Sequence, residues 1–301
     1  MSRLRSGGLL RTLVRAACVL AVVLVGAQAN AQVGIKGTRH NLSSTNTFGA
    51  GNANFVSTAD TAEVCVFCHT PHQSNTSVQA PLWNKATLPS TSYTTYSSTN
   101  SSTLDGEVLA VGSVSLACLS CHDGTQAMDN IINAPGSGGL NATGGGADGL
   151  NYSWAGSPRA DATGKLTGVA ALGQNLVDDH PIGIAYCGGG PNAASPTALC
   201  NDRDFVAPSN GTVNGTQVFW VNTTGGNANR EKTDMILYNR TFLNAVNGGS
   251  AGAGPSVECA SCHDPHVAQG DTAAASGQVA GATFLRISNA GSAVCLACHV
   301  K

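Results

Sequence analysis

The chain has 301 residues, with 15 Lys and Arg against 17 Asp and Glu, and charged residues make up 11% of it. Roughly a quarter is usual for a globular domain. This low, balanced charge excludes an acidic or basic tail protein and argues against nucleic-acid binding, which needs clustered Lys and Arg. Aromatic residues make up only 5%, so we do not expect an ordinary aromatic-rich core.

Residues 1–31 have the layout of a secretory signal peptide. Four arginines precede an uncharged apolar run, Ala16–Ala27, and alternating alanines end at Ala31. A transmembrane anchor is the alternative, but this run has 12 residues and a span needs about 20. We therefore predict cleavage after Ala31 and export. Cleavage would remove Cys18 and change the formal net charge from −2 to −6.

Eight of the ten remaining cysteines form four Cys-x-x-Cys pairs, and a histidine follows each pair directly. In chain order they are motif 1 (Cys65, Cys68, His69), motif 2 (Cys118, Cys121, His122), motif 3 (Cys259, Cys262, His263) and motif 4 (Cys295, Cys298, His299). This pattern is the attachment signature of c-type haem. The two thiols form thioethers with one porphyrin, and the next imidazole binds its iron.

Zinc sites and disulfides also use paired cysteines, but neither requires a histidine after every pair. With only eight histidines in the chain, four such coincidences are improbable. We therefore predict four covalently bound c-type haems.

The other four histidines, His40, His72, His180 and His266, match the four predicted haems one for one. We expect them to be the second axial ligands, giving each iron two histidines. His72 and His266 lie only three residues after a motif histidine, too close to reach the opposite face of the same haem. Each should therefore bind a different haem and hold two haems close together.

Cys187 and Cys200 flank a short loop rich in Gly, Pro and Ala. In an oxidising compartment we expect one disulfide between them. Free thiols are the alternative, but no nearby residue supports a metal site.

The motifs form two two-haem modules, residues 60–125 and 255–301, joined by an insert rich in Gly and Asn, residues 126–254. We expect residues 32–301 to be a single tetrahaem domain. The predicted fold is mostly irregular and loop-rich, with short helices at the motifs and few short strands, for example at 217–222 and 235–238. It would be wrapped around four haems, which would supply the missing apolar core.

Cys-x-x-Cys-His-x-Pro-His occurs at both Cys65–His72 and Cys259–His266, and Asp-His-Pro-Ile-Gly surrounds His180. With these motifs the chain resembles the doubled-CXXCH multihaem cytochromes, in particular the tetrahaem outer-surface c-type cytochromes of the OmcE type. The resemblance covers both ends of the chain and, apart from His180, little of the insert. It implies an extracellular homopolymeric filament in which one axial histidine binds a haem of the neighbouring subunit, and His72 or His40 is the candidate donor.

Two histidines on every iron would leave no position open for a substrate, so we expect outer-sphere electron transfer and no enzymatic activity. The expected partners are further copies of this chain and other redox cytochromes or extracellular acceptors. A discrete periplasmic tetrahaem shuttle to a reductase is the alternative. A haem-based reductase is disfavoured because it needs an open iron.

Overall fold

The computed structural model describes residues 35–47, 53–97, 101–136, 149–154, 158–225, 229–243, 252–266 and 284–300. The chain divides into two units, Met1–Gln32 and Val33–Lys301, and every described residue belongs to the second. The predicted signal peptide thus lies outside the described residues. Within them, no helix is long and apolar enough to cross a membrane.

A five-stranded antiparallel sheet is the main regular structure, with strand order β1-β5-β4-β3-β2. Its strands are β1 (Ile184–Ala185), β2 (Ser209–Val213), β3 (Thr216–Val221), β4 (Met235–Phe242) and β5 (Gly252–Val257). Asn214 and Gly215 join β2 to β3, and both have positive φ angles, 49° and 77°. Asn-Gly favours such a two-residue turn, whose twist matches that of the flanking strands. β4 lies between β3 and β5, with Leu237 opposite Phe219 and Tyr238 opposite Ser256.

The predicted fold class is wrong, because the chain builds this sheet instead of a mostly irregular wrapping around haems. The predicted strands at 217–222 and 235–238 overlap β3 and β4. The two-residue β1 is missing from the prediction, and so are β2 and β5. Their sequences, Ser-Asn-Gly-Thr-Val and Gly-Ala-Gly-Pro-Ser-Val, consist mostly of residues with low strand propensity. Pairing with the apolar β3 and β4 outweighs that local preference.

Three short α-helices are described, and each coincides with a Cys-x-x-Cys pair. They are α1 (Ser115–His122), α2 (Cys259–Cys262) and α3 (Ala293–Cys298). Glu258 and Ser261 form a capping box at the start of α2, which satisfies backbone N–H groups of its first turn.

Apolar side chains form three buried clusters, and motif cysteines lie at their edges. Cys68 packs against the first cluster, around Leu119, and against the second, around Phe67, where Cys121 also packs. Cys262 and Cys298 pack against the third, around Phe219 and the sheet. The motifs are therefore positioned at the margins of these clusters.

Candidate functional site

Each of the four motifs forms a helical turn that puts its two thiols three residues apart on one side. Motif 2 lies within α1. In the other three, the histidine N–H donates to the carbonyl of the first cysteine: His69 to Cys65 at 2.8 Å, His263 to Cys259 at 3.2 Å and His299 to Cys295 at 2.9 Å. Side chains at i and i+3 of a helix are neighbours, so the two thiols of each motif can both bond to one planar group.

Motifs 1, 3 and 4 share a second feature, which we call the backbone clamp. A three-residue segment pairs with each motif histidine: Leu82–Asn84 with His69, Phe284–Arg286 with His263, and Asp204–Val206 with His299. The last residue of the segment donates its N–H to the second cysteine's carbonyl, at 2.9 Å in all three motifs. The carbonyl of the segment's first residue accepts a hydrogen bond from the N–H of the residue that follows the motif histidine, at 2.8 to 2.9 Å.

Motif 2 is held differently, because α1 continues through His122. The His122 carbonyl accepts from the Leu172 N–H at 2.6 Å, and its Nδ1 contacts the Ala170 carbonyl at 2.8 Å. The segment after the 3₁₀ turn Gly168–Ala170 therefore takes the place of a clamp.

Motifs consecutive in sequence are neighbours in the structure. The Cys118 and Cys259 side chains are hydrogen-bonded, which raises the pKa of Cys118 and lowers that of Cys259. Burial raises the pKa of Cys68 to about 12, and the neighbouring Cys121 thiol adds to that rise. Burial likewise raises the pKa of Cys298 to about 12, with Cys262 contributing. The thiol pairs therefore follow one another as motifs 1, 2, 3 and 4.

Two of the predicted second ligands face a motif histidine of another part of the chain. The ring centres of His40 and His122 are 6.2 Å apart with perpendicular planes. Those of His69 and His266 are 6.1 Å apart, with 18° between the planes. At a metal–nitrogen distance of about 2 Å, two imidazoles on opposite sides of one metal have ring centres roughly 6 Å apart. Both pairs fit two histidines on one iron.

The orientation of these rings also fits metal binding. Nδ1 contacts the Pro81 carbonyl at 2.7 Å in His69 and Asp264 Oδ1 at 3.1 Å in His266. An Nδ1–H bonded in this way leaves Nε2 as the unprotonated nitrogen that can bind a metal. His40 Nδ1 is enclosed and has no hydrogen-bond partner. Burial, followed by the His122 charge, lowers the pKa of His40 to about 3, so this imidazole is neutral.

The other two predicted second ligands, His72 and His180, are exposed. His180 Nδ1 contacts the Pro181 carbonyl at 3.0 Å. Cys187 and Cys200 are joined by a disulfide with a Cα–Cα distance of 5.4 Å, and both are buried in the third cluster.

Among the described residues, no three or more His, Cys, Asp or Glu side chains lie together as a metal site. A haem iron needs only two protein ligands because the porphyrin supplies four nitrogens, so pairs of histidines are the geometry to expect. Neither the clamp segments nor the buried Lys85 could be predicted from the sequence. The clamps bond through the backbone, and an isolated lysine carries no sequence signal.

No protein-family model matches this chain, and no curated protein matches it in a sequence search.

Proposed function

We propose that the protein is an exported tetrahaem c-type cytochrome that carries electrons by outer-sphere transfer outside the cell. The observation that carries the proposal is the pairing of His40 with His122 and of His69 with His266. Each pair joins a motif histidine to a second histidine at the spacing that one iron requires. Haem, when bound, supplies a one-electron iron couple.

The chain's own residues hold the four groups and close their irons to substrates. The eight motif thiols anchor them covalently, so they are not lost outside the cell. The His40–His122 and His69–His266 pairs would each bind one iron through two histidines, and His72 and His180 are the candidates for the other two. Two histidines per iron would exclude substrate coordination and favour low potentials relative to His and Met ligation. The order of neighbouring thiols supports transfer along motifs 1, 2, 3 and 4.

We further propose that copies of the chain polymerise into a conductive filament, with a second ligand crossing between subunits. This step rests on the resemblance to outer-surface tetrahaem cytochromes, which is an argument by analogy. Of the two candidate donors, His72 suits the role better because it is exposed, whereas His40 faces His122 of its own chain. Low charge content is also compatible with assembly.

Intact-protein mass spectrometry with an optical spectrum tests haem attachment. We expect the exported protein to carry four covalent haems, all low-spin. The double variant Cys118→Ser and Cys121→Ser should lose one haem. The control, Cys187→Ser and Cys200→Ser, removes two cysteines outside the motifs, which form a disulfide, and should keep all four haems. An unmodified polypeptide mass for the exported wild-type protein would refute the proposal.

Electron microscopy of material sheared from cells tests assembly. We expect filaments from the wild type and discrete particles from His72→Ala. The control is Gln73→Ala, a change at the exposed neighbouring position that leaves His72 in place. Discrete wild-type particles with four low-spin haems would support the shuttle instead, and normal filaments from His72→Ala would remove His72 as the crossing ligand.

A further inference from the structure

Lys85 is a completely buried basic residue held by backbone carbonyls. Its Nζ donates to the oxygens of Ala127 at 3.0 Å, Met128 at 3.3 Å and Asn130 at 2.8 Å. An ammonium group has three N–H donors, and here each has a carbonyl acceptor. A neutral amine has only two N–H donors, and its lone pair would face the oxygen of the third carbonyl. The geometry therefore selects the cation.

No carboxylate of the described residues forms an ion pair with this ammonium group. Two other basic residues near the motifs are paired: Arg240 with Glu258 at 2.9 Å and Arg286 with Asp264 at 3.4 Å. Asp129 interacts with Lys85 only through its longer-range charge, and its Oδ2 instead accepts the Tyr152 N–H at 2.9 Å. The Lys85 charge is thus buried without direct neutralisation.

Lys85 lies between motif 1 and motif 2. It directly follows the clamp segment Leu82–Asn84 of motif 1, and its three acceptors lie shortly after motif 2. Asn84, directly before Lys85, donates its backbone N–H to the Cys68 carbonyl at 2.9 Å and its Nδ2 to the Val66 carbonyl at 2.6 Å. Met128, whose carbonyl accepts from Lys85, belongs to the buried cluster against which both Cys68 and Cys121 pack. One cation therefore acts on the attachment points of two neighbouring groups.

We propose that Lys85 raises the reduction potentials of the haems at motifs 1 and 2, an inference that rests on the proposed haem-binding function. Reduction from Fe(III) to Fe(II) adds one electron and lowers the charge of the site by one. A fixed cation in surroundings of low dielectric constant favours the more negative state. The Lys85 charge thus makes the haems at motifs 1 and 2 easier to reduce, and electrons reside preferentially in that half of the chain.

Potentiometric titration followed by optical and electron paramagnetic resonance spectra tests this role. In Lys85→Gln, two of the four midpoint potentials should shift downward while the other two stay close to their wild-type values. The matched control is Gln126→Met, which removes a neutral hydrogen bond to the Ala86 carbonyl between the same two segments. It should leave all four potentials in place. An equal downward shift in both variants, or no shift in Lys85→Gln, would overturn the proposal.

Asp129→Asn provides a test of opposite sign that does not depend on Lys85→Gln folding. Burial raises the pKa of the Asp129 carboxyl, so at a pH above that raised value the removal of its negative charge should raise the same two potentials. No upward shift would contradict the proposal. Mass spectrometry of each sample counts the haems first, so failure of the haem hypothesis is distinguished from failure of the Lys85 role.

Discussion

At the scale of single residues, His40 is a proposed ligand whose position its local sequence does not predict. It stands far from any Cys-x-x-Cys motif, yet its ring stacks on Phe284 at 4.0 Å and meets the His122 ring edge-on at 6.2 Å. Its enclosed Nδ1 has no hydrogen-bond partner. Buried polar atoms are usually paired, so this exception is compatible with the proposed role of the ring in binding a group.

His40→Ala is expected to convert one of the four haems from low spin to high spin, because the iron at His122 would lose its second histidine. His266→Ala should do the same for the iron at His69, and the double variant should give two high-spin haems. Electron paramagnetic resonance spectra of the ferric protein would count them. Phe284→Leu is the control, since it removes the stacking contact but no ligand. Four low-spin haems in His40→Ala would contradict the assignment.

The four motifs can be predicted from the sequence, whereas the segments that hold them in place cannot. Covalent haem attachment requires these residue types at this spacing, so Cys65–His69 and its three counterparts predict that chemistry together with the helical turn that the structure shows. The clamps bond through backbone atoms. Their sequences, Leu-Trp-Asn, Phe-Leu-Arg and Asp-Phe-Val, share no common pattern. The sheet was underestimated for a related reason, because β2 and β5 form by pairing with β3 and β4 rather than by propensity.

At the scale of elements, the clamp divides the motifs differently from their sequence repeat. Motifs 1 and 3 share Cys-x-x-Cys-His-x-Pro-His, and motifs 2 and 4 share Cys-Leu-x-Cys-His. In the structure, however, motif 4 groups with motifs 1 and 3. His263 and His299 even have nearly the same backbone angles, φ −103° and ψ 137° against φ −100° and ψ 136°. The clamp therefore sets the backbone conformation of these histidines and the direction in which the chain continues after each turn.

Val206→Pro should weaken the hold on motif 4 because proline lacks the N–H that donates to the Cys298 carbonyl at 2.9 Å. We expect incomplete haem attachment at motif 4, measured by mass spectrometry of peptides that contain Cys295 and Cys298. Val206→Ala keeps the N–H and should allow full attachment. Equal attachment in the two variants would show that the clamp is not needed.

At the scale of the whole molecule, Glu258 joins the motif 2 region to the sheet. Its carboxylate accepts from Ser115 in α1 at 2.6 Å, from Arg240 in β4 at 2.9 Å and from Ser256 in β5 at 3.0 Å. Ser115 and Glu258 are 143 residues apart in sequence, so a single buried carboxylate connects distant parts of the chain. The neighbouring Cys118 and Cys259 thiols lie at the same junction between motifs 2 and 3.

Glu258→Ala should lower the free energy of unfolding by about 3 kcal/mol, because Arg240 and two buried hydroxyl groups would lose their acceptor. Glu258→Gln should cost less, since the amide keeps the shape and one acceptor oxygen. Denaturant titration of the loaded protein measures both. Glu63→Gln, at an exposed carboxyl, is the control and should stay within about 0.5 kcal/mol of the wild type.

The same carboxyl gives a pH dependence of defined sign. Burial is the main cause that raises the pKa of Glu258 in the folded protein, and hydrogen bonds from Ser115 and Arg240 only partly oppose it. The folded state therefore keeps this proton to higher pH than the unfolded state does. Its contribution to stability is complete below the ordinary glutamate pKa of about 4.3 and falls as the pH rises through the raised value. Glu258→Gln cannot titrate and should have a flatter pH–stability curve over that range, whereas an unchanged slope would assign the dependence to another group.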